Sequence, residues 1–222
     1  QYINKRCPAT VGYIDHYMHE DDYWIVMEYI HGIQGKHLID LAHKGIYLNE
    51  SEVASFVYDI ARALLFLHSH EFIYGDIKPD NIIFLPPNHA CLLDFGCTRD
   101  GPQLFTPVGT PTYFAPEKFD WDFSYPSDVW AFGVLIYILM CGHHPFIHHY
   151  SKIKDRYVLE HEIKNNKLTF HHPRWDEMSS SGKDLLCGML HKKPEYRMSM
   201  DDVINHSWFR EFLSKKHNIR HV

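Results

Sequence analysis

Tyr74-Gly75-Asp76-Ile77-Lys78-Pro79-Asp80-Asn81 is the stretch whose reading decides the fold. It sets a carboxylate (Asp76), an ammonium (Lys78) and an amide (Asn81) within six residues. Two short apolar runs follow, Ile82 to Leu85 and Ala90 to Leu93. Pro86-Pro87-Asn88-His89 between them reads as a tight turn, so the pair predicts a β-hairpin. That hairpin returns the chain to the same edge and delivers a second carboxylate in Asp94-Phe95-Gly96. A third segment, Gly109-Thr110-Pro111-Thr112-Tyr113-Phe114-Ala115-Pro116-Glu117, closes a Gly/Pro/Thr-rich irregular stretch. Transfer of a phosphoryl group needs a carboxylate to receive a hydroxyl proton, a cation near the γ-phosphate and oxygen ligands for Mg²⁺. These residues supply each type.

Working outward, the period of the apolar residues changes. Before the loop, Val53, Phe56, Val57, Ile60, Leu64 and Leu67 fall at helical spacing. Asn49 and Glu52 form a capping pair ahead of them, so a long amphipathic helix is predicted from Asn49 to near His68. Earlier still, Val11 to Met18 and Tyr23 to Tyr29 are apolar and aromatic around the polar turn His19-Glu20-Asp21-Asp22, the pattern of a hairpin. Gly32 and Gly35 then break the pattern. Behind the third segment the chain reads as helical at Asp128 to Cys141, about Arg156 to Asn165, Ser180 to Leu190 and Ser199 to His206, with Ser199 and Asp202 as another capping pair. Val129 to Gly142 is the longest apolar run. It is too short to span a bilayer and long enough for a buried core helix.

Composition bounds the function. The chain has 222 residues, 45% of them hydrophobic and 15% aromatic, enough for an ordered core. A formal charge of −6 without a Lys/Arg block argues against nucleic acid as a partner. The five cysteines, Cys7, Cys91, Cys97, Cys141 and Cys187, are scattered, odd in number and lack CxxC spacing. They read as reduced thiols and place the protein in the cytoplasm, away from membranes. The 19 histidines include the doublets His143-His144, His148-His149 and His171-His172. Adjacent residues face apart, so the doublets are poor metal sites and read as surface or loop residues.

The three segments, in this order, resemble the protein-kinase signature of catalytic loop, Asp-Phe-Gly and Ala-Pro-Glu. The resemblance runs from about residue 7 to about residue 212. Lys78 and the Gly-Thr-Pro before Tyr113 resemble the Ser/Thr branch, and within it the cyclic-nucleotide- and calcium-regulated groups, whose His206-Ser207-Trp208-Phe209 end is similar. The resemblance implies an α+β fold: mainly the helical C-terminal lobe (31–214), with a β-hairpin remnant of the N-terminal lobe and hinge (1–30) and a tail (215–222). It implies ATP and Mg²⁺ as cofactors and a protein hydroxyl as acceptor. Asp76 would be the catalytic base, Lys78 the cation on the transferring phosphoryl, and Asn81 and Asp94 the metal ligands. Thr110 would bond Asp76 and Lys78. Met27 would be the gatekeeper, Glu28 to Ile30 the hinge reading adenine, and Ile83 and Leu93 would line the floor and wall of that pocket. Glu117 would pair with Arg197, and Asp128 would cap the apolar helix and bond the backbone near Tyr74-Gly75.

Three departures stand out. Gly75 occupies the place of an Arg that, in the family, receives the activation-loop phosphate, so activity is expected to depend little on phosphorylation of Thr106. Arg99 would substitute only in part as a phosphate partner. Ile138 stands where cyclic-nucleotide-regulated kinases carry a glutamate, so selection for Arg two residues before the acceptor is expected to weaken, with Asp80 the remaining acid. The third is the lack of a Gly-rich loop, strand Lys and helix Glu over the phosphates. The chain, which begins at Gln1 without an initiator Met, is therefore expected to be an incomplete domain, with regulatory domains flanking it. Val11, Ile14 and Ile25 are expected to present apolar surface to a neighbouring chain. A non-catalytic pseudokinase-like scaffold is the competing reading; retention of Asp76, Lys78, Asn81 and Asp94 argues against it.

Overall fold

The computed structural model describes residues 9–104, 108–147 and 155–217. Cys7, Thr106 and the His148-His149 doublet lie outside them. The chain is mainly helical, with four small separate sheets among the described residues. Its centre is helix α3 (Tyr125–Cys141), nearly every residue of which is buried. This is the apolar run of the sequence, and its lack of a polar face is what a helix packed on all sides requires. It starts at Ser124, with Pro126 in the first turn, and stops at Gly142, whose φ of 75° is the left-handed end that glycine takes without strain. Asp128 thus sits in the first turn, not at the cap as the sequence suggested.

Helix α2 (Glu50–Ser69) packs against α3, the helices Met200–Ile204 and Ser207–His217 and the strand His89–Leu92, and its Val53, Val57, Ile60, Leu64 and Leu67 are all fully buried. Its start is a complete capping box. Asn49 Oδ1 accepts from the Glu52 amide at 2.9 Å, and Glu52 Oε2 accepts from the Asn49 amide at 2.8 Å. Helices α4 (Arg156–Asn165), α5 (Ser180–Met189), α6 (Met200–Ile204) and α7 (Ser207–His217) complete the lobe. Ser199 and Asp202 form the second capping box, at the head of α6. Two helices go beyond the sequence expectation: α1 (Gly35–Ala42) and α7.

The strands are short. β1 (Tyr13–His19) and β2 (Asp22–Met27) form an antiparallel hairpin, Tyr13 opposite Met27 and His19 opposite Asp22. β3 (Ile33–Gln34), β5 (Ile82–Leu85) and β6 (His89–Leu92) make a three-stranded sheet in the order β3-β5-β6, with Ile82 opposite Leu92. Between them β4 (Phe72–Ile73) pairs with β7 (Arg99–Asp100), and β8 (Gln103–Leu104) with β9 (Asp122–Phe123).

The β1–β2 hairpin is largely exposed: Ile14 is 58% accessible, Ile25 57% and Met27 49%. Val11 departs from the expected apolar surface. It is 8% accessible, because the Val11 amide donates to Leu92 O at 3.1 Å and holds it beside β6. The described doublet histidines, His143, His144, His171 and His172, lie in loops, and His144, just past α3, is buried. Its Nδ1 accepts from the Phe146 and Ile147 amides at 3.0 and 3.1 Å, so Nε2 is left to donate to Thr112 O at 2.9 Å.

Candidate active site

The loop between β4 and β5 is pinned from below by α3. Asp128 Oδ2 accepts from the Tyr74 amide at 2.8 Å and Oδ1 from the Gly75 amide at 2.9 Å, while His68 Nε2 lies 3.0 Å from Oδ2. A buried carboxylate with this many partners is satisfied, and it fixes the backbone that carries Asp76. The Tyr74 hydroxyl donates to Leu93 O, which ties the loop to the strand leading into Asp94. Burial of the ring raises the Tyr74 phenol well above its ordinary 10.0, so it stays a donor.

Both oxygens of Asp76 are engaged. Oδ1 accepts from the Thr110 amide and from Thr110 Oγ1, each at 2.8 Å. Oδ2 accepts from Lys78 Nζ at 2.7 Å and Asn81 Nδ2 at 3.1 Å. Thr110 Oγ1 in turn accepts from Lys78 Nζ at 2.9 Å. Asp76, Lys78, Asn81 and Thr110 therefore form one network drawn from two distant segments. Burial pushes the Asp76 carboxyl up, but Lys78 and Thr110 outweigh it and hold it below the ordinary 3.8. The same contact, against the opposing effect of burial, raises Lys78. The two directions agree: this is a carboxylate and an ammonium.

Asn81 gives both protons of Nδ2 to Asp76, one to the backbone oxygen at 2.9 Å and one to Oδ2. Its oxygen is what the amide offers a cation. The β5–β6 register sets Leu93 beside Asn81, with the Leu93 amide donating to Asn81 O at 2.8 Å, so Asp94 emerges next to it. Asp94 is exposed, with φ 49°, and its Oδ1 accepts from the Gly96 amide at 3.1 Å. Among the described residues no cluster of three His, Cys, Asp or Glu could hold a metal. Mg²⁺ needs no such cage: one or two oxygen ligands from protein, with substrate phosphates and water, suffice. An amide oxygen and an exposed carboxylate at adjacent points fit that requirement.

The expected adenine residues are less gathered. Glu28 and Ile30 follow β2, and the Glu28 amide is spent on Gly12 O at 2.7 Å. Met27, expected as the gatekeeper, is half exposed because the hairpin carries no described layer above it. Ile83 and Leu93 are half-buried on and beside the three-stranded sheet. A cavity of about 510 Å³ lies instead on the other side of the loop, lined by Asp40, Pro79, Asp80, Tyr113, Ile138 and His143 among others.

Glu117 and Arg197 pair as expected, in bidentate fashion at 2.6 and 3.0 Å, and both are buried. Arg197 also donates to the carbonyls of His191 and Pro126 at 3.0 and 2.8 Å. Arg99, expected as a phosphate partner, donates to the carbonyls of Gly96 and Thr98.

Sequence reasoning missed Lys118. Its side chain is buried, and Nζ donates to Gly75 O at 2.7 Å. The ammonium lies 4.6 Å from the Phe114 ring centre and 4.8 Å from that of Phe123. Gly75 has φ 86°, and a Cβ there would stand 2.6 Å from Phe123 and 2.9 Å from Cys97 O. Gly109, φ 101°, lies close against the same carbonyl, 2.5 Å from where its own Cβ would be. The only local signal was the tight packing that two glycines invite; nothing beside Lys118 in the sequence marks it as internal.

The protein kinase domain family model matches residues 2–209. The chain is 34% identical over 206 residues to the mouse protein "Serine/threonine-protein kinase DCLK2", covering 90% of this chain and 26% of that one. It is 32% identical over 207 residues to mouse "Serine/threonine-protein kinase DCLK3", covering 90% and 25%. Rat "Serine/threonine-protein kinase DCLK1" is 34% identical over 195 residues, covering 85% and 43%. The chain thus spans about a quarter of the length of the mouse relatives.

Proposed function

The chain belongs to the protein kinase family, on its serine/threonine side, and from that premise we propose that it transfers the γ-phosphoryl group of ATP to serine or threonine hydroxyls of proteins. The observation that carries this is the closed network of Asp76, Lys78, Asn81 and Thr110. Asp76, kept ionised, receives or orients the hydroxyl proton of the acceptor; such a group contributes about 10²–10⁴-fold. Lys78 can move from Asp76 toward the transferring phosphoryl without leaving the network. Thr110 joins the segment that ends in Glu117 to the base, so an acceptor peptide lying on that segment is placed against Asp76. Asn81 and Asp94 would hold Mg²⁺, which would supply charge neutralisation for the phosphates when bound.

The cavity beside the loop suits side chains of the acceptor peptide: Asp80 and Asp40 offer acids, while Ile138 offers none. Weakened selection for Arg two residues before the acceptor rests on Ile138 alone, and the two acids act against it. Residues 1–30 serve as strands and hinge, and 31–214 as the catalytic lobe. The four described cysteines are free thiols, and no described helix is long and apolar enough to cross a membrane; the thiols support a cytoplasmic location.

The test uses the full-length protein with Mg²⁺-ATP and a Ser/Thr peptide library. Transfer is expected, with Asp76→Asn lowering kcat by about 10²–10⁴-fold. Asp94→Asn is expected to remove Mg²⁺-dependent nucleotide binding in a thermal-shift assay. A wild-type protein that binds nucleotide without Mg²⁺ dependence and transfers nothing would favour the scaffold reading.

A further inference from the structure

We propose that Lys118 is a positioning residue for Asp76: an internal cation that holds the Gly75 carbonyl and so aligns the loop from within, in the absence of an arginine at position 75. The inference rests on the kinase reading above. Lys118 leaves the short turn Pro116–Asp120, directly after Glu117, and its Nζ reaches Gly75 O at 2.7 Å. Gly75 precedes Asp76, so this one bond joins the anchor of the activation segment to the backbone of the base. The rings of Phe114 and Phe123 flank the ammonium. Among the described residues no carboxylate lies within ion-pair distance of it. A buried cation with a carbonyl and two π-faces as its setting is an unusual thing to keep for packing alone, since an apolar side chain would fill the same space without the desolvation cost.

The arrangement is mutually exclusive with a side chain at position 75. Phe123 occupies the space a Cβ at Gly75 would enter, and Gly109 closes over the same carbonyl. Glycine at 75, Phe123 and Lys118 therefore form one device. It places a positive charge beneath the loop from the far side, where it depends on nothing added to the chain.

The device has a pH signature. Burial pulls the Lys118 ammonium down to about 8, against the pull of Asp128 on α3, Asp76 on the loop, and Cys97 and Glu117 on the adjoining segments. Below that pH the Gly75 carbonyl receives a charge-assisted bond; as pH rises through it, the bond becomes a weaker neutral one. Other groups nearby titrate elsewhere. Lys78 is raised above 10.5 and Cys97 above 9.0, while Asp76 is ionised throughout.

The experiment measures kcat and KM for ATP from pH 6 to pH 10 on the full-length protein, with the melting temperature followed across the same range. The wild type is expected to lose kcat above pH 8 while remaining folded and with KM little changed. Lys118→Met, which keeps the apolar stem between the two rings, is expected to lower kcat by roughly 10- to 100-fold, as small displacements of a reacting group do, and to abolish the alkaline limb. A purely structural lysine would lower the melting temperature and leave the shape of the profile unchanged, and that result overturns the proposal. Should Lys118→Met not fold, the wild-type profile decides alone: a kcat that is flat to pH 9.5 overturns it. Absence of transfer by the wild type would instead overturn the kinase reading, and it is seen before any variant is made.

Discussion

The residue that concentrates most of the chemistry is Thr110. Its amide and hydroxyl both bond Asp76, and its hydroxyl also receives Lys78. Replacing it with alanine removes the hydroxyl from a network in which every member has another partner. The Asp76 carboxyl, held below 3.8 partly by Thr110, should then rise toward that value. The sign follows from linkage. A depressed carboxyl contributes stability above its unfolded pKa and loses it as pH falls through the folded one. Thr110→Ala should therefore shift the acid limb of both stability and kcat upward in pH. A hydrogen bond to a charged group carries about 1.5–3 kcal/mol, so a loss of roughly 10- to 100-fold in kcat at pH 7 is expected. Acid denaturation followed by circular dichroism, with kcat measured in parallel, checks both; an acid limb that does not move would contradict the role given to the hydroxyl.

Among the elements, the Pro116–Asp120 turn is tied to the lobe by the Glu117–Arg197 pair. Glu117→Ala leaves a buried guanidinium with three carbonyls, those of His191, Pro126 and Lys192, but no counter-charge, which costs roughly 3–5 kcal/mol. The midpoint of chemical denaturation should fall accordingly, and a change below about 1 kcal/mol would mean the ion is rehydrated and not truly buried. The elements also show where sequence is legible. α2 and α3 announce themselves because their apolar residues follow a helical period or fill it, and Asn49-Glu52 and Ser199-Asp202 are complete capping boxes. α1 did not, because it opens on Gly35 with no side-chain cap. Gly35 is there for a tertiary reason: a Cβ would stand 2.5 Å from Pro79 O. The gathering of Asp76, Lys78, Asn81 and Thr110 into one network was legible, because separate segments agree with one chemistry. Lys118 and His144 were not, because burial of a polar side chain is decided by distant residues, Phe123 and Thr112 here, and charge or a histidine doublet in sequence defaults to the surface.

At the scale of the molecule, the lobe is closed on one side of the candidate site and open on the other. Below the loop lie α3, Asp128 and Lys118. The β1–β2 hairpin leaves Ile14, Tyr17, Met18, Trp24, Ile25 and Met27 about half exposed or more. The 222 residues also contain no Gly-rich strand–turn–strand followed by a strand Lys and a helix Glu. The phosphates of a nucleotide would then be met from one side only, by Lys78, Asn81 and Asp94. Electrostatic clamps act strongly when they exclude water, and a one-sided site leaves the phosphates hydrated. Residues 1–222 should therefore bind Mg²⁺-ATP more weakly in calorimetry than a kinase domain that carries those elements, and should turn over more slowly. Exposed Ile14 and Ile25 should also make these residues associate with rising concentration in sedimentation velocity, and Ile14→Thr with Ile25→Thr should return them toward monomer without changing the melting temperature of the helical lobe. Affinity equal to that of such a domain would show that the hairpin and hinge suffice to hold the nucleotide, and the weight placed on a second side would be misplaced.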